Sequence, residues 1–151
     1  MERTRLYYEA QGFERPYHWA HFDEIPFTHP SRPLPEATVA IITTAVPVYD
    51  SKIPMIGRTA RSVPMDEIPH AFFTDDLAWD KVTTHTGDRG SYFPLEPLQA
   101  LDREGRIGRI APRFHFVPTE YSQRQTEQAD APLICDACIE DEVDVAILVP
   151  L

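Results

Sequence analysis

The stretch Thr38-Val39-Ala40-Ile41-Ile42-Thr43-Thr44 decides the fold class of this chain. Its middle is continuously apolar and it is rich in β-branched residues, which is typical of a strand buried on both faces of a parallel sheet. A second stretch, Val145-Ala146-Ile147-Leu148-Val149, has the same character. Helical segments separate the two, so we expect residues 38–44 and 144–149 to form buried, parallel strands. The pattern predicts a small three-layer α/β sandwich around a mostly parallel central sheet.

One helix is clearly signalled between these strands. Pro94 suits its first turn, Leu95, Leu98 and Leu101 form its apolar face, and Gly105 is placed to end it. The spacing therefore predicts a helix that packs one face on the sheet.

A second helix is predicted just before the last strand. Asp130 is expected to cap it, with the helix beginning at Ala131-Pro132 and running to about Glu142. Further short strands are expected at 113–117 and at either 71–73 or 81–84.

The first 35 residues differ in composition from the rest of the chain. Residues 1–22 hold six of the sixteen aromatic residues, and a short amphipathic helix is predicted near 2–11. Four prolines between 24 and 35 predict an extended strap. We expect one domain over 1–151, with an aromatic and proline-rich strap over 1–35 and a core over 36–151. Exposed aromatic patches often bind a second subunit, so a homo-oligomer is expected.

Composition and charge exclude several classes of function. The chain has 151 residues with 14 basic and 24 acidic side chains, for a net charge of −10. Such a balance disfavours binding to nucleic acid or to anionic membranes. No apolar run approaches the roughly 18 residues of a membrane span. Two cysteines without an export signal indicate a protein of the reducing cytoplasm.

Six stretches of the chain carry a family resemblance. They are Pro16-Tyr17-His18-Trp19-Ala20, Arg32-Pro33-Leu34-Pro35-Glu36-Ala37, Val39-Ala40-Ile41-Ile42-Thr43-Thr44-Ala45, Phe93-Pro94-Leu95-Glu96-Pro97-Leu98, Glu104-Gly105-Arg106-Ile107-Gly108-Arg109-Ile110-Ala111-Pro112-Arg113 and Val143-Asp144-Val145-Ala146-Ile147-Leu148-Val149-Pro150. Together they resemble the selenoprotein B family of glycine/sarcosine/betaine reductase and D-proline reductase, especially its short bacterial members. The similarity extends over nearly the whole chain, and each stretch is a packing or turn signature.

The resemblance implies a reaction and its participants. In that family a selenocysteine or cysteine directly follows the strand that resembles residues 143–150, so such a residue is expected just after Leu151. It attacks a small polar substrate, and a thiol electron-donor protein is the implied partner. No other cofactor is expected in this chain.

Two polar groups contain candidate site residues: Thr43, Thr44 and Asp88 for substrate binding, and His85 for catalysis. Thr43 and Thr44 end the first buried strand, and ligands of open α/β sheets gather beyond the carboxyl ends of such strands. His85 lies in a polar loop with Asp88, where an imidazole can move protons near pH 7 while the carboxylate fixes its tautomer. The alternative for Asp88 is a cap of the helix that follows.

Cys135-Asp136-Ala137-Cys138 is the redox motif of the sequence. In the first turns of a helix, the dipole would lower the pKa of a thiol, whereas nearby acids would raise it. Cys135 and Cys138 are thus candidate redox residues; the alternative is that these thiols are buried or take no part in a reaction. Two cysteines do not complete a zinc site, so no metal is expected. Three further histidines, His18, His21 and His115, are interpreted as packing residues.

The sequence therefore predicts a component of a reductase. Its reaction is the reductive cleavage of a carbon–heteroatom bond in a small polar substrate through a selenol or thiol nucleophile. One alternative is a non-catalytic subunit or small-molecule binding module with the same fold. Another is a thiol redox protein that uses Cys135 and Cys138.

Overall fold

A computed structural model describes residues 2–13, 21–25, 28–48, 59–74, 80, 82–119 and 122–151. Its helices and strands, in chain order, are α1 (Glu2–Ala10), β1 (Thr38–Thr43), β2 (Val46–Val48), β3 (Arg61–Pro64), β4 (Ala71–Phe73), α2 (Leu95–Arg103), β5 (Arg109–Ile110), β6 (Arg113–Phe116), α3 (Gln123–Gln125), α4 (Ala131–Glu140) and β7 (Val145–Val149). The predicted strands at 38–44 and 113–117 are present, and of the two alternatives for a further strand the structure contains the one at 71–73.

The main sheet is mixed, with mostly parallel strands, and β1 is at its centre. β5 and β6 follow one another along one side of β1, and β7 pairs with its other side; all three are parallel to β1. β3 pairs with β6 in antiparallel orientation. β2 and β4 form a separate antiparallel pair. The result is a small α/β fold, as the two apolar stretches predicted.

The main apolar core lies on the α2 face of the sheet. Val39 and Ile41 of β1 pack there with Phe114 of β6, because alternate residues of a strand point to the same face. Leu95 and Leu98 of α2 complete this layer. α4 packs on the opposite face, where the guanidinium of a β6 arginine donates to a carbonyl of the helix. The central strand is therefore covered on both sides.

One prediction for the sheet is wrong: β7 is not a central strand. In the part of the chain that the structure describes, β7 pairs with β1 alone, and its side chains alternate between half-buried and exposed. Val145, Ile147 and Val149 pack on the core, whereas Leu148 on the other face is 70% exposed. The reason is that α4 covers β3 and β6 but leaves this part of the sheet open. An apolar sequence therefore forms a parallel edge strand.

The predicted start of the second helix is also wrong. Asp130 has helical geometry inside a longer helix, which begins after Ser122 and continues through a π-helical segment, Thr126–Asp130, into α4. The Ser122 hydroxyl accepts a hydrogen bond from Gln125 N at 3.2 Å and is the actual cap. Pro132 is the second residue after the π-helical segment. Because proline has no N–H and clashes with the preceding turn, it explains this local widening.

The two main helices end in the same way. Gly105 after α2 has a φ of 65° and donates to Asp102 O, which confirms the predicted cap. Glu142 after α4 has a φ of 54° and donates to Ile139 O. A non-glycine residue therefore occupies the left-handed position of the second cap, where a side chain is disfavoured.

The N-terminal strap is attached to the sheet at its inner end. The Asp144 carboxylate accepts hydrogen bonds from Thr38 N at 2.9 Å and from the Ser31 hydroxyl at 3.2 Å. Gly108 N donates to the carbonyl oxygens of Leu34 and Ala37, both at 3.0 Å. Further out, α1 is present as predicted, with all of its residues exposed. Homo-oligomerisation through its aromatic side chains stays a prediction.

Candidate functional site

The carboxyl ends of β1, β6 and β7 meet at one edge of the sheet because these strands are parallel. Val117 N, after β6, donates to Thr43 O at 2.9 Å. Leu151 N, after β7, donates to the Thr44 hydroxyl oxygen at 2.8 Å. The three strand ends are thus joined by hydrogen bonds, and we call this the carboxyl edge.

The structure places Thr43 and Thr44 at the carboxyl edge, as expected. Thr43 is fully buried, and its hydroxyl donates to Tyr92 O at 2.7 Å while it accepts from Ala45 N at 3.1 Å. Thr44 is half-buried and accepts from the backbone of Leu151. Thr43 therefore positions the segment that carries Tyr92, and Thr44 positions the chain after β7.

The loop that contains His85 and Asp88 has its own hydrogen bonds. The Asp88 carboxylate accepts from Gly90 N at 2.9 Å and caps a short 3-10 helix, Arg89–Ser91. His85 Nδ1 accepts from Gly87 N at 3.1 Å, which leaves the proton of the neutral ring on Nε2. The tautomer of His85 is thus set by a backbone N–H, and the predicted role of Asp88 in setting it is wrong.

Arg89 is a candidate that sequence reasoning missed. Its guanidinium carbon lies 5.1 Å from the ring centre of Phe93 and 5.4 Å from that of Phe72, within the range of cation–π attraction. These rings belong to an aromatic cluster in which Phe93 and Phe114 are 4.8 Å apart. Arg89 Nε is buried and has no hydrogen-bond partner among the described residues. A guanidinium held in this way is oriented before any ligand arrives.

An open pocket of about 500 Å³ surrounds this arginine. It is lined by Asp88, Arg89, Gly90 and Ser91 from the loop, and by Glu96 and Pro97 from α2. The segment 88–92 is tied to the carboxyl edge through the hydrogen bond between Thr43 and Tyr92. One guanidinium and two carboxylates around a small space suit a small zwitterion, with its carboxylate on the arginine and its cationic nitrogen towards the acids.

Cys135 and Cys138 lie on the other face of the sheet, away from this pocket. Cys138 contacts the buried His115, whose strand neighbour Phe114 points into the core on the α2 side. Because the continuous helix begins at Gln123, the two thiols lie in its last turns, and the predicted lowering of a thiol pKa by the helix N-terminus is wrong. Burial instead raises the pKa of Cys138, with further contributions from Cys135 and Asp141.

The histidines interpreted as packing residues have different outcomes. His115 is fully buried and hydrogen-bonded to Ser62, which confirms a satisfied core histidine. His21 is exposed and its Nε2 lies 3.1 Å from an Asp23 carboxylate oxygen, so the packing interpretation is wrong for it. His18 lies outside the described residues.

The described residues offer neither a cluster of metal ligands nor a helix that could span a membrane. They contain no group of three or more histidine, cysteine, aspartate or glutamate residues arranged to hold a metal ion. Among the helices of the described part, none has the length and apolar character needed to cross a membrane.

Comparisons with protein-family models, with curated proteins and with solved structures found no match to this chain. The pocket around Arg89, beside the carboxyl edge, is the arrangement of described residues that bears most directly on function.

Proposed function

We propose that this chain is a component of a reductase that cleaves a carbon–heteroatom bond in a small substrate with a carboxylate group. The observation that carries the proposal is Arg89, held on two aromatic rings in a pocket beside the carboxyl edge of the sheet. The reaction class comes from the resemblance to the selenoprotein B family, whose names refer to glycine, sarcosine, betaine and D-proline. All four compounds pair a carboxylate with an amine or ammonium group.

In this proposal Arg89 binds the substrate carboxylate. A guanidinium presents several N–H donors in a plane, which matches the two oxygens of a carboxylate. The aromatic rings beneath it restrict its orientation, so little side-chain freedom is lost on binding. Asp88 and Glu96 supply negative charge for the cationic end of the substrate. This arrangement selects zwitterions over simple anions.

The nucleophile that the resemblance implies belongs at the same edge. A selenocysteine or cysteine that followed Leu151 would enter next to Thr44, because Leu151 N is hydrogen-bonded to the Thr44 hydroxyl. A selenol would supply an ionised nucleophile at neutral pH, whereas an ordinary thiol, with a pKa of about 8.5, is mostly protonated. In this proposal the described residues position the substrate, and they position the backbone that leads to the selenol or thiol.

Binding measurements test the pocket. Isothermal titration calorimetry with glycine, sarcosine, glycine betaine and D-proline should detect binding of at least one, and trimethylamine, which lacks the carboxylate, should bind much more weakly than betaine. Arg89→Gln should weaken binding about 10- to 100-fold, the value of one charge-assisted hydrogen bond. Arg89→Lys keeps the positive charge but loses the planar set of N–H donors, so it should recover part of the affinity.

Arg106→Gln is the matched control, since Arg106 is an exposed arginine whose ion pair with Glu104 spans 3.9 Å. It should bind substrate like the parent protein. Circular dichroism checks that each variant is folded. Equal affinity in a folded Arg89→Gln variant would exclude the proposed carboxylate site.

The nucleophile is tested separately on the gene. We expect an in-frame UGA or a cysteine codon immediately after codon 151, with another cysteine codon nearby. Substrate binding without such a codon would favour the second candidate, a non-catalytic binding module with the same fold. The pocket supports that alternative directly, because it is formed without any residue beyond 151.

A further inference from the structure

Three side chains from three elements form a line on the α4 face of the sheet. The Ser62 hydroxyl of β3 lies 3.0 Å from Nδ1 of His115, on β6. On the other side of the ring, His115 Nε2 lies 3.6 Å from Sγ of Cys138, on α4. Ser62 and His115 are directly paired in the sheet register, so this contact follows from strand pairing. A thiol thus faces an imidazole whose other nitrogen is already hydrogen-bonded.

The second cysteine of the motif differs from the first in exposure. Cys135 is exposed, whereas Cys138, one turn later, is half-buried between the helix and the sheet. A soluble disulfide can therefore reach Cys135 directly. Cys138 is only partly exposed, and His115 Nε2 is within reach as its proton acceptor. This is the division of roles that a dithiol centre needs, with one attacking thiol and one resolving thiol.

We propose that Cys135, Cys138 and His115 form a dithiol–disulfide centre that exchanges with soluble disulfides, separate from the pocket around Arg89. Cys135 attacks the disulfide first. Cys138 then attacks the sulfur of Cys135, with His115 as its general base. Ser62 is a positioning residue: its hydroxyl oxygen accepts a hydrogen bond from Nδ1–H, which leaves the lone pair of the ring on Nε2, facing the thiol.

The two steps balance with a disulfide as the oxidant. In the first, Cys135 loses its S–H proton to solvent, its thiolate breaks the soluble disulfide to form a mixed disulfide, and the displaced thiolate takes up a proton from solvent. In the second, the S–H proton of Cys138 passes to His115 Nε2, a bond forms between the two cysteine sulfurs, and the second soluble thiolate leaves with that proton. The protein loses two hydrogen atoms and the soluble disulfide becomes two thiols.

The protonation states of the pair agree with these roles. Burial, together with the nearby Arg113, lowers the pKa of His115, so the ring is neutral and able to accept a proton. Burial also raises the pKa of Cys138, so this thiol is protonated at rest and depends on a base. The charged groups that act on the pair are Arg113 and Asp141.

Helix geometry makes the internal disulfide reactive. Side chains three residues apart on a helix have Cβ atoms about 5–6 Å apart, whereas a relaxed disulfide needs about 3.5–4.5 Å. The last turn of α4, which ends at Glu140, must therefore adjust when the bond forms. Such a bond is readily reduced again, as a centre that turns over requires.

The experiment uses the whole chain and oxidised glutathione, followed by intact-mass spectrometry and peptide mapping. The parent protein should pass through a transient glutathione adduct on Cys135 and reach a form two hydrogen atoms lighter. Cys138→Ser should stop at a stable adduct on Cys135. Cys135→Ser should react slowly at Cys138. A first adduct on Cys138, or a parent protein that stops at the mixed disulfide, would overturn the proposal.

The roles of His115 and Ser62 have their own readout. His115→Gln should slow the second step about 100-fold, the lower end for general-base catalysis, and leave the first step unchanged. Because His115 is buried and this variant can fail to fold, Ser62→Ala provides a second test. It should change the pH profile of the second step, and Ser62→Thr should restore it. A folded His115→Gln variant, or Ser62→Ala, with the parent's rate and pH profile would overturn the assignment.

Discussion

Gly108→Ala should break the attachment of the N-terminal strap to the sheet. A Cβ atom at this position would lie 2.5 Å from the carbonyl carbon of Glu36 and 2.8 Å from Ala37 N. Ordinary contacts begin near 3.4 Å, so the two backbone segments must separate by most of an ångström. They carry two hydrogen bonds from Gly108 N, to Leu34 O and Ala37 O.

The expected loss follows from these contacts. Forcing an extra methyl into a packed site costs about 1–3 kcal/mol. Each backbone hydrogen bond that is lengthened removes about 1 kcal/mol more. With both hydrogen bonds lengthened, we therefore expect Gly108→Ala to lower the free energy of unfolding by about 3–5 kcal/mol.

Urea denaturation followed by circular dichroism measures this change. Gly87→Ala is the matched control, because its new methyl would meet only the exposed side chain of His85, at 3.2 Å from Nδ1. It should change stability by less than about 0.5 kcal/mol, as surface substitutions usually do. A Gly108→Ala variant as stable as the control would show that the strap does not constrain the core, and the reasoning would be wrong.

Three further outcomes are expected. A hydrogen bond from Thr38 N lowers the pKa of Asp144. The stability that the ionised carboxylate contributes is therefore present above its unfolded pKa of about 3.9 and is lost as the pH falls through the lower folded value. Asp144→Asn should flatten this part of the acid unfolding curve. Glu142→Gly should raise the free energy of unfolding by about 1 kcal/mol, because it removes a side chain from a left-handed cap, and a lower melting temperature would contradict this. Replacing Cys135 and Cys138 together by serine should leave both the substrate affinity measured by calorimetry and the turnover of the intact reductase within a few-fold of the parent's. The reason is that both thiols lie on the other face of the sheet from the pocket. Loss of activity in a folded variant would contradict this.

The fold class was predictable from sequence because its signals are local. The apolar, β-branched stretch of β1 needs no knowledge of its neighbours to be read as a buried strand. Gly105 is equally local, since the left-handed backbone that ends a helix favours glycine wherever it occurs. Thr43 and Thr44 were expected at the carboxyl edge for the same reason, as they end that strand.

Tertiary structure decided which surfaces those elements cover. The β7 stretch is as apolar as β1, yet among the described residues it pairs with β1 alone, and one of its faces is exposed because α4 does not cover it. Similarly, the pairing of Ser62 with His115 and the contact with Cys138 depend on strand register and helix placement. Arg89 carries no sequence signal of the two aromatic rings beneath it, because Phe72 comes from a distant segment and the orientation of the nearby Phe93 is fixed by the packed core. Local preferences are encoded residue by residue, whereas contacts between distant residues exist only once the chain has packed.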